Sequence, residues 1–144
     1  AVYFGLATCT YCATQFGHLD LMQQDLDSND AELGIEIIGI NLADRESGND
    51  SMTDGRDLPW LQDVDADDNG ESDVWESWDA QLRDVIILDA SNQAVESYNL
   101  TLNDLGVDAN YNTLRDLLVE AASAEGELDD LIGLLAEDQQ ENGS

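Results

Sequence analysis

The sequence predicts an α/β fold in which a central mixed sheet is flanked by helices. Three observations carry this. An apolar run, Val2-Tyr3-Phe4-Gly5-Leu6-Ala7, leads directly into a helical pattern, and an isoleucine-rich run, Gly34 to Asn41, follows that helix. Two further runs, Asp84 to Asp89 and Ala94 to Tyr98, are separated only by the turn Ala90-Ser91-Asn92-Gln93. Strand, helix, strand is a crossover that joins parallel strands with a right-handed connection. The second pair is spaced for an antiparallel hairpin.

Each element has a local reason. Val2 to Ala7 is a short, continuous apolar run, the pattern of a buried strand. From Cys12, the positions Phe16, Leu19, Met22 or Gln23, and Leu26 recur at three- and four-residue steps, which is one face of a helix. Asp27-Ser28-Asn29-Asp30 should end it, because these side chains compete for backbone hydrogen bonds and favour turns. The β-branched Gly34 to Asn41 run suits an interior strand covered on both faces. Residues 42–59 are polar, with Gly48 and Gly55, and predict a loop leading to a short element at Leu58-Pro59-Trp60-Leu61. Asp63 to Asp73 predicts an acidic loop, and Val74 to Trp78 a short helix with Trp75 and Trp78 on one face. Those two indoles, with Trp60, are expected to pack in or around the core. A helix over Tyr111 to Ala122 follows the hairpin, Gly126 interrupts it, and Leu128 to Leu135 has the pattern of another amphipathic helix. The organisation expected is one domain over residues 1–124 and an acidic helix or tail over 125–144. The order β-α-β, a connecting region, then β-β-α is the minimal thioredoxin-fold arrangement.

Composition narrows the function. Among 144 residues, 33 are acidic and 4 are basic, giving a formal charge of -29. With no basic patch to meet phosphates, nucleic acid and anionic lipid are excluded as partners. A surface this acidic repels itself unless ions screen it, which predicts a saline setting, extracellular, marine or halophilic. No apolar run approaches the roughly 20 residues that span a bilayer, so no membrane insertion is expected. Strand character begins at Val2, so no leader is legible ahead of it, and a secreted or periplasmic location stays open.

The chemistry is concentrated in Cys9-Thr10-Tyr11-Cys12, which holds the only two cysteines. Two intervening residues place both sulfurs in the first turn of a helix entered from a strand. So short a loop makes the pair a poor staple, which points to redox use. The nucleophile in thiol chemistry is the thiolate, and helix N-terminal amides favour it. Cys9, the first of the pair, is therefore the expected attacking residue, and Cys12, one turn on, the resolving thiol. Tyr11, between them, is a candidate for support. Zinc is disfavoured because four ligands are needed and the only histidine is His18, which is read as a surface or packing residue of the helix. The chemistry needs no organic cofactor, only a peroxide or disulfide substrate and an external thiol reductant.

Several segments together resemble a known family. The dithiol, the strand ending Gly39-Ile40-Asn41, Leu58-Pro59-Trp60, Ser72-Asp73-Val74-Trp75 and the strand Asp84 to Asp89 with its turn are similar, in order over residues 2–100, to the N-terminal domain of the selenoprotein P family. The resemblance implies a secreted thiol or selenol oxidoreductase with peroxide-reducing activity, in which Cys9 matches the selenocysteine position and Cys12 its partner cysteine. The family's selenium-rich and histidine-rich segments have no counterpart here, so selenium transport and heparin binding are not implied. Thioredoxins place a cis-proline ahead of the third strand, facing the dithiol. That position falls near Leu82-Arg83-Asp84, and the sole proline is Pro59. Arg83 is thus expected beside the sulfurs, either as a cation that favours the Cys9 thiolate or as the partner of an acid.

A second candidate site is the acidic loop Asp65 to Glu76, which follows the calcium-loop pattern D-x-D-x-N-G followed after five residues by Glu. Asp65, Asp67, Asn69 and Glu76, with the Glu71 carbonyl and Asp73, supply the oxygen shell that Ca²⁺ takes, and Gly70 permits the sharp turn. The alternative is a solvated acidic loop. The whole-protein alternative is a noncatalytic extracellular module that binds calcium and whose Cys9–Cys12 pair is a local structural disulfide.

Overall fold

The computed structural model describes residues 1–123. The tail over 125–144, with the helix expected at Leu128 to Leu135, lies outside the described residues. The described elements are β1 (Val2–Gly5), α1 (Thr10–Asn29), β2 (Ile38–Asn41), α2 (Asn49–Thr53), β3 (Trp60–Gln62), α3 (Asp73–Ser77), β4 (Asp84–Leu88), β5 (Ala94–Asn99) and α4 (residues 108–123).

The strands form one five-stranded mixed sheet in the order β3-β2-β1-β4-β5. β1 pairs in parallel with β2, and β2 with β3, while β4 runs antiparallel to both β1 and β5. The crossover through α1 and the hairpin at β4–β5 thus stand as the sequence predicts, within a thioredoxin-like α/β arrangement that carries β3 as an added edge. The hydrophobic pattern explains which face each strand buries. Tyr3, Val85 and Ile87 point into one core with Phe16, Leu19, Met22 and Leu26 of α1 and Leu114, Leu118 and Ala121 of α4. Val2, Phe4, Ile40 and Ile86 point to the other face, where Trp75 of α3 covers them. Phe4 meets both indoles of that segment, Trp75 edge-on at 5.4 Å and Trp78 tilted at 5.8 Å. Each fully buried large side chain contributes about 1.5–3 kcal/mol. Phe16→Ala, which empties the junction of α1, Tyr3 and Trp60, would cost about 3–5 kcal/mol.

Three expectations are corrected. The first strand stops at Gly5, because Leu6-Ala7-Thr8 turns to enter α1 and Cys9 N–H donates to Leu6 O at 3.1 Å. The isoleucine run forms strand only from Ile38. Ahead of it, Gln23 reaches from α1 to take the Ile37 N–H and to donate to Ile35 O, so that backbone is served by a side chain and not by a neighbouring strand. Residues 42–59 are not plain loop: they hold a 3₁₀ turn at Glu46–Gly48 and then α2. Its residue Met52 is fully buried against the α1 side of the sheet, a single apolar anchor too sparse to show as periodicity.

Candidate active site

The dithiol sits at the mouth of α1. Cys9 is the N-cap, with extended backbone, and its Sγ accepts the Cys12 N–H at 3.2 Å. The sulfur thus takes the place of the oxygen that usually caps a helix. α1 has 20 residues and no acidic residue in its first turn, so the positive end of its dipole is not neutralised locally. Every one of the 33 acidic residues lies at or beyond Asp20, which leaves the whole β1-to-dithiol segment free of carboxylates.

The two thiols are free and unequal. Cys9 is half-buried and Cys12 fully buried. Partial burial works against a Cys9 thiolate. Hydrogen bonds from the Cys12 thiol, the Arg83 guanidinium and the Cys12 amide, with the Arg83 charge, outweigh it and hold the Cys9 thiol below the usual cysteine range. Burial pushes the Cys12 thiol up, and its hydrogen bond to Cys9 adds to this. An attacking thiolate and a protonated resolving thiol are what this asymmetry favours.

Arg83 and Tyr11 join the dithiol. Arg83 Nη2 donates to Cys9 Sγ at 3.5 Å and Nη1 to Thr101 Oγ1 at 2.9 Å. Its Cζ lies 4.8 Å from the centre of the Tyr11 ring, and Tyr11 Oη donates to Leu100 O at 2.6 Å, fixing the ring as a shelf for the guanidinium. Both ion pairs among the described residues belong to Arg115, with Asp25 and Asp30. Amid so many carboxylates, Arg83 is directed at sulfur. Its backbone is in the left-handed region, φ 69°, a strained choice for a residue with a Cβ that the surrounding structure must hold in place. Arg83 N–H donates to Phe4 O at 2.7 Å and Arg83 O accepts from Leu100 N–H at 2.9 Å. Leu82 O accepts from Asn99 Nδ2 at 3.0 Å. These three backbone groups beside the sulfurs are therefore already paired.

Two supports escaped sequence reasoning. Asn41, fully buried at the end of β2, accepts the Ala7 N–H at 2.9 Å and donates to Asn49 Oδ1 and Gln62 Oε1. Trp60 Nε1 donates to the same Asn49 oxygen at 2.7 Å. This amide network holds the turn that delivers Cys9. Gly48 packs directly on that turn, where a Cβ would stand 2.3 Å from Ala7 O and 2.8 Å from Thr8 N. The only legible signal was an asparagine closing an otherwise apolar strand. The other support is Tyr3, whose buried hydroxyl donates to Cys12 O at 3.1 Å.

The acidic loop is ordered by hydrogen bonds of its own. Asp63, buried, takes Ser72 Oγ at 2.7 Å, Val74 N–H at 2.8 Å, Trp75 N–H at 3.1 Å and Val64 N–H at 2.8 Å, so it anchors the start of α3. Asp65, Asp67 and Asp73 come together, with carboxylate oxygens within 4.8 Å of one another. The Asp67 carboxyl is pushed up by its hydrogen bond with Asp65, by some desolvation and by the charges of Asp73 and Asp65. Glu76 stands outside that cluster and accepts from Asn69 Nδ2 at 2.9 Å, while Glu71 donates its N–H to Asn69 Oδ1. Three hard oxygen donors suit Ca²⁺, and Asn69 and Glu76 would have to part to complete its shell.

Fold and site together define a thioredoxin-like α/β protein that presents an asymmetric dithiol at a helix N-terminus. No protein-family profile and no curated protein matches the chain. Among the described residues no helix is long and apolar enough to cross a membrane.

Proposed function

We propose that this protein is a thiol oxidoreductase of the selenoprotein P-like type, working outside the cytoplasm in a saline setting, with Cys9 as nucleophile and Cys12 as resolving thiol. The observation that carries the reading is the convergence of the Cys12 amide and the Arg83 guanidinium on the Cys9 sulfur at 3.2 and 3.5 Å. With a hydroperoxide, the Cys9 thiolate attacks the terminal oxygen, the O–O bond breaks, and the alkoxide leaves and is protonated to an alcohol. The Cys9 sulfenic acid then condenses with the Cys12 thiol, forming the disulfide and water. With a small disulfide, Cys9 forms a mixed disulfide that Cys12 displaces as a thiol. An external thiol reductant restores the pair. The pairing of Leu82 O and of both Arg83 backbone groups favours small substrates over extended polypeptide.

The test is a panel of hydroperoxides and disulfides with a defined thiol reductant, run on wild type, Cys9→Ser and Cys12→Ser. Turnover should vanish without Cys9, and without Cys12 it should form no intramolecular disulfide and run only as fast as the reductant attacks the Cys9 adduct. Turnover that is absent in wild type, or indifferent to both serines, would establish the noncatalytic module instead. Alongside this activity, convergence of Asp65, Asp67 and Asp73 supports Ca²⁺ binding in the acidic loop, where the ion would fix the approach to α3 and take no part in thiol chemistry.

A further inference from the structure

We propose that the protein carries a second site, independent of the dithiol: a cavity between the end of β2, the acidic loop and α3 that binds a small organic cation bearing an oxygen acceptor. It lies on the face of the sheet that Trp75 covers, opposite α1. The cavity measures about 560 Å³ and is lined by Asp44, Asp65, Asp68, Glu71, Glu76 and Asp79, with no lysine, arginine or histidine in its walls. That volume falls in the range of about 300–1,000 Å³ that holds small organic ligands, far more than one ion fills. A concave surface lined by one sign of charge focuses the field and gathers counter-ions, which sets the charge of the ligand. Arg45, the neighbouring cation, gives its guanidinium to the Asp44 carbonyl at 3.1 Å and does not line the cavity. Among the described residues no donor meets the side chains of Asp44, Asp68, Glu71 or Asp79.

Charge alone would define only an acidic surface, but the wall also holds an unpaired donor. Trp75 lines the cavity and is 8% exposed, and its buried indole Nε1–H has no hydrogen-bond partner. Among the described residues only Arg83 Nε shares that condition. Buried indole N–H groups ordinarily find an acceptor, and an unmade bond is costly. None of the six carboxylates around the cavity takes it. The missing partner is therefore an oxygen that the ligand brings. An inorganic cation cannot supply it, because the ion accepts no hydrogen bond and a water bound to it turns its lone pair to the metal. A molecule that joins an ammonium or guanidinium group to a carbonyl or hydroxyl satisfies both requirements. Its methylenes then rest against Leu42, Ala80 and the indole, the apolar part of the wall.

The wall is built on backbone that costs energy to hold. Asp44, Asp68 and Asp79 have φ of 66°, 55° and 50°, three of the five non-glycine residues in the left-handed region among those described. Asparagine tolerates this backbone as aspartate does, so Asp→Asn removes a charge here without adding strain. Asp44 and Asp79 also lie outside the acidic loop, and Asp67 and Asp73, which cluster with Asp65, do not line the cavity. These two aspartates therefore test the site separately from calcium binding in the loop.

The experiment titrates the ¹⁵N-labelled protein with argininamide in about 0.15 M NaCl at about pH 6, where the probe is a dication with a carbonyl acceptor. The readout is the indole N–H resonances of the three tryptophans. Binding should saturate and move the Trp75 signal downfield while that of Trp60, on the α1 face, stays in place. Trp75→Phe identifies the signal and should lower the affinity about fivefold, the scale of one hydrogen bond. Asp44→Asn and Asp79→Asn should each weaken binding about threefold. Diaminopentane, a dication without an acceptor, should bind about fivefold more weakly and leave the Trp75 signal unshifted. Shifts that grow without saturating, or an affinity that both asparagine variants leave unchanged, mean diffuse counter-ion attraction and overturn the site. An unmoved Trp75 signal at saturation, or equal binding of diaminopentane, overturns the assigned class of ligand. Ca²⁺ that moves the Trp75 signal where argininamide does not makes this a metal site and overturns the proposal as well. Should Trp75→Phe fail to fold, the asparagine variants and diaminopentane carry the test unaided.

Discussion

Arg83→Gln removes the cation beside Cys9 while leaving a side chain of similar reach, and glutamine meets the same left-handed backbone at φ 69° as arginine does. The guanidinium nitrogen lies 3.5 Å from Sγ. At that separation two unit charges attract by about 1.2 kcal/mol in bulk water and about 4.7 kcal/mol at an effective dielectric near 20. Both groups reach solvent, so screening puts the effect near the lower figure. A lost charge-assisted hydrogen bond brings the expected destabilisation of the thiolate to about 1.5 kcal/mol, or roughly tenfold. The sign follows directly: a neighbouring cation favours the thiolate, so removing it raises the Cys9 pKa. The assay is the pH profile of iodoacetamide alkylation with Cys12→Ser as the parent, where Cys9 is the only thiol. Below the parent's pKa the Arg83→Gln rate should fall roughly tenfold, and the two profiles should converge at high pH, where both proteins are fully ionised. Arg83→Lys should fall between them, since an ammonium keeps the charge but cannot span Thr101 and Cys9 with one planar fork. Profiles that superimpose would refute the assignment of Arg83 to the sulfur and leave α1 and the Cys12 amide to account for Cys9.

Four other outcomes follow from the structure. Gly48→Ala puts a Cβ 2.3 Å from Ala7 O, and because the neighbours are backbone the turn must move, so thermal unfolding should show a loss of about 1–3 kcal/mol and Cys9 alkylation should slow with it. Asp63→Ala removes the acceptor of four hydrogen bonds and should cost about 3 kcal/mol in urea unfolding, with Trp75 fluorescence reporting a loosened α3. The Arg115 hydrogen bond holds the Asp25 carboxyl below its ordinary range, so the pair's stabilisation is full above the ordinary aspartate pKa and is lost as pH falls through the depressed folded value. Arg115→Gln should therefore cost about 1 kcal/mol at neutral pH, held low by exposure and screening, with a difference that shrinks in acid. Calorimetry with Ca²⁺ should give a binding isotherm for wild type that Asp65→Asn and Glu76→Gln each weaken, and indistinguishable traces would remove the calcium site.

The order of elements and the parallel and antiparallel pairings were legible because long apolar runs with clear periodicity report burial directly. β1, β2, β4 and the buried face of α1 all came from such runs. What could not be read depended on side chains satisfying distant backbone. Gln23 shortens β2 by serving Ile35 and Ile37 from 12 and 14 residues away. Asp63 organises α3 from 9 to 12 residues upstream. No local pattern announces either contact, since glutamine and aspartate are ordinary surface residues in so polar a chain. At the site, spacing between a strand and a helix placed Cys9 and Cys12, and the likeness of Leu82-Arg83-Asp84 to the cis-proline position of thioredoxins placed Arg83. Tyr3 stayed hidden because its aromatic ring fits a buried strand so well that its hydroxyl carried no separate signal.

The distribution of charge reconciles an acidic protein with thiolate chemistry. A formal charge of -29 should oppose another negative charge anywhere on the surface. Screening shortens that opposition to about 8–10 Å at ordinary ionic strength, so the carboxylates that matter most are those close to the sulfurs. Residues 1–19 contain none, and Arg83 is in direct contact with the Cys9 sulfur. Within a screening length Cys9 therefore meets a helix N-terminus and a guanidinium before it meets the acidic surface. This separation has a consequence for salt: added electrolyte weakens the diffuse repulsion more than the 3.5 Å contact, so the Cys9 alkylation rate at fixed pH should hold or rise from 0.1 M to about 1 M NaCl, where the screening length is about 3 Å. A steep fall would mean that the thiolate is held by long-range fields, and that Arg83 does not dominate its environment.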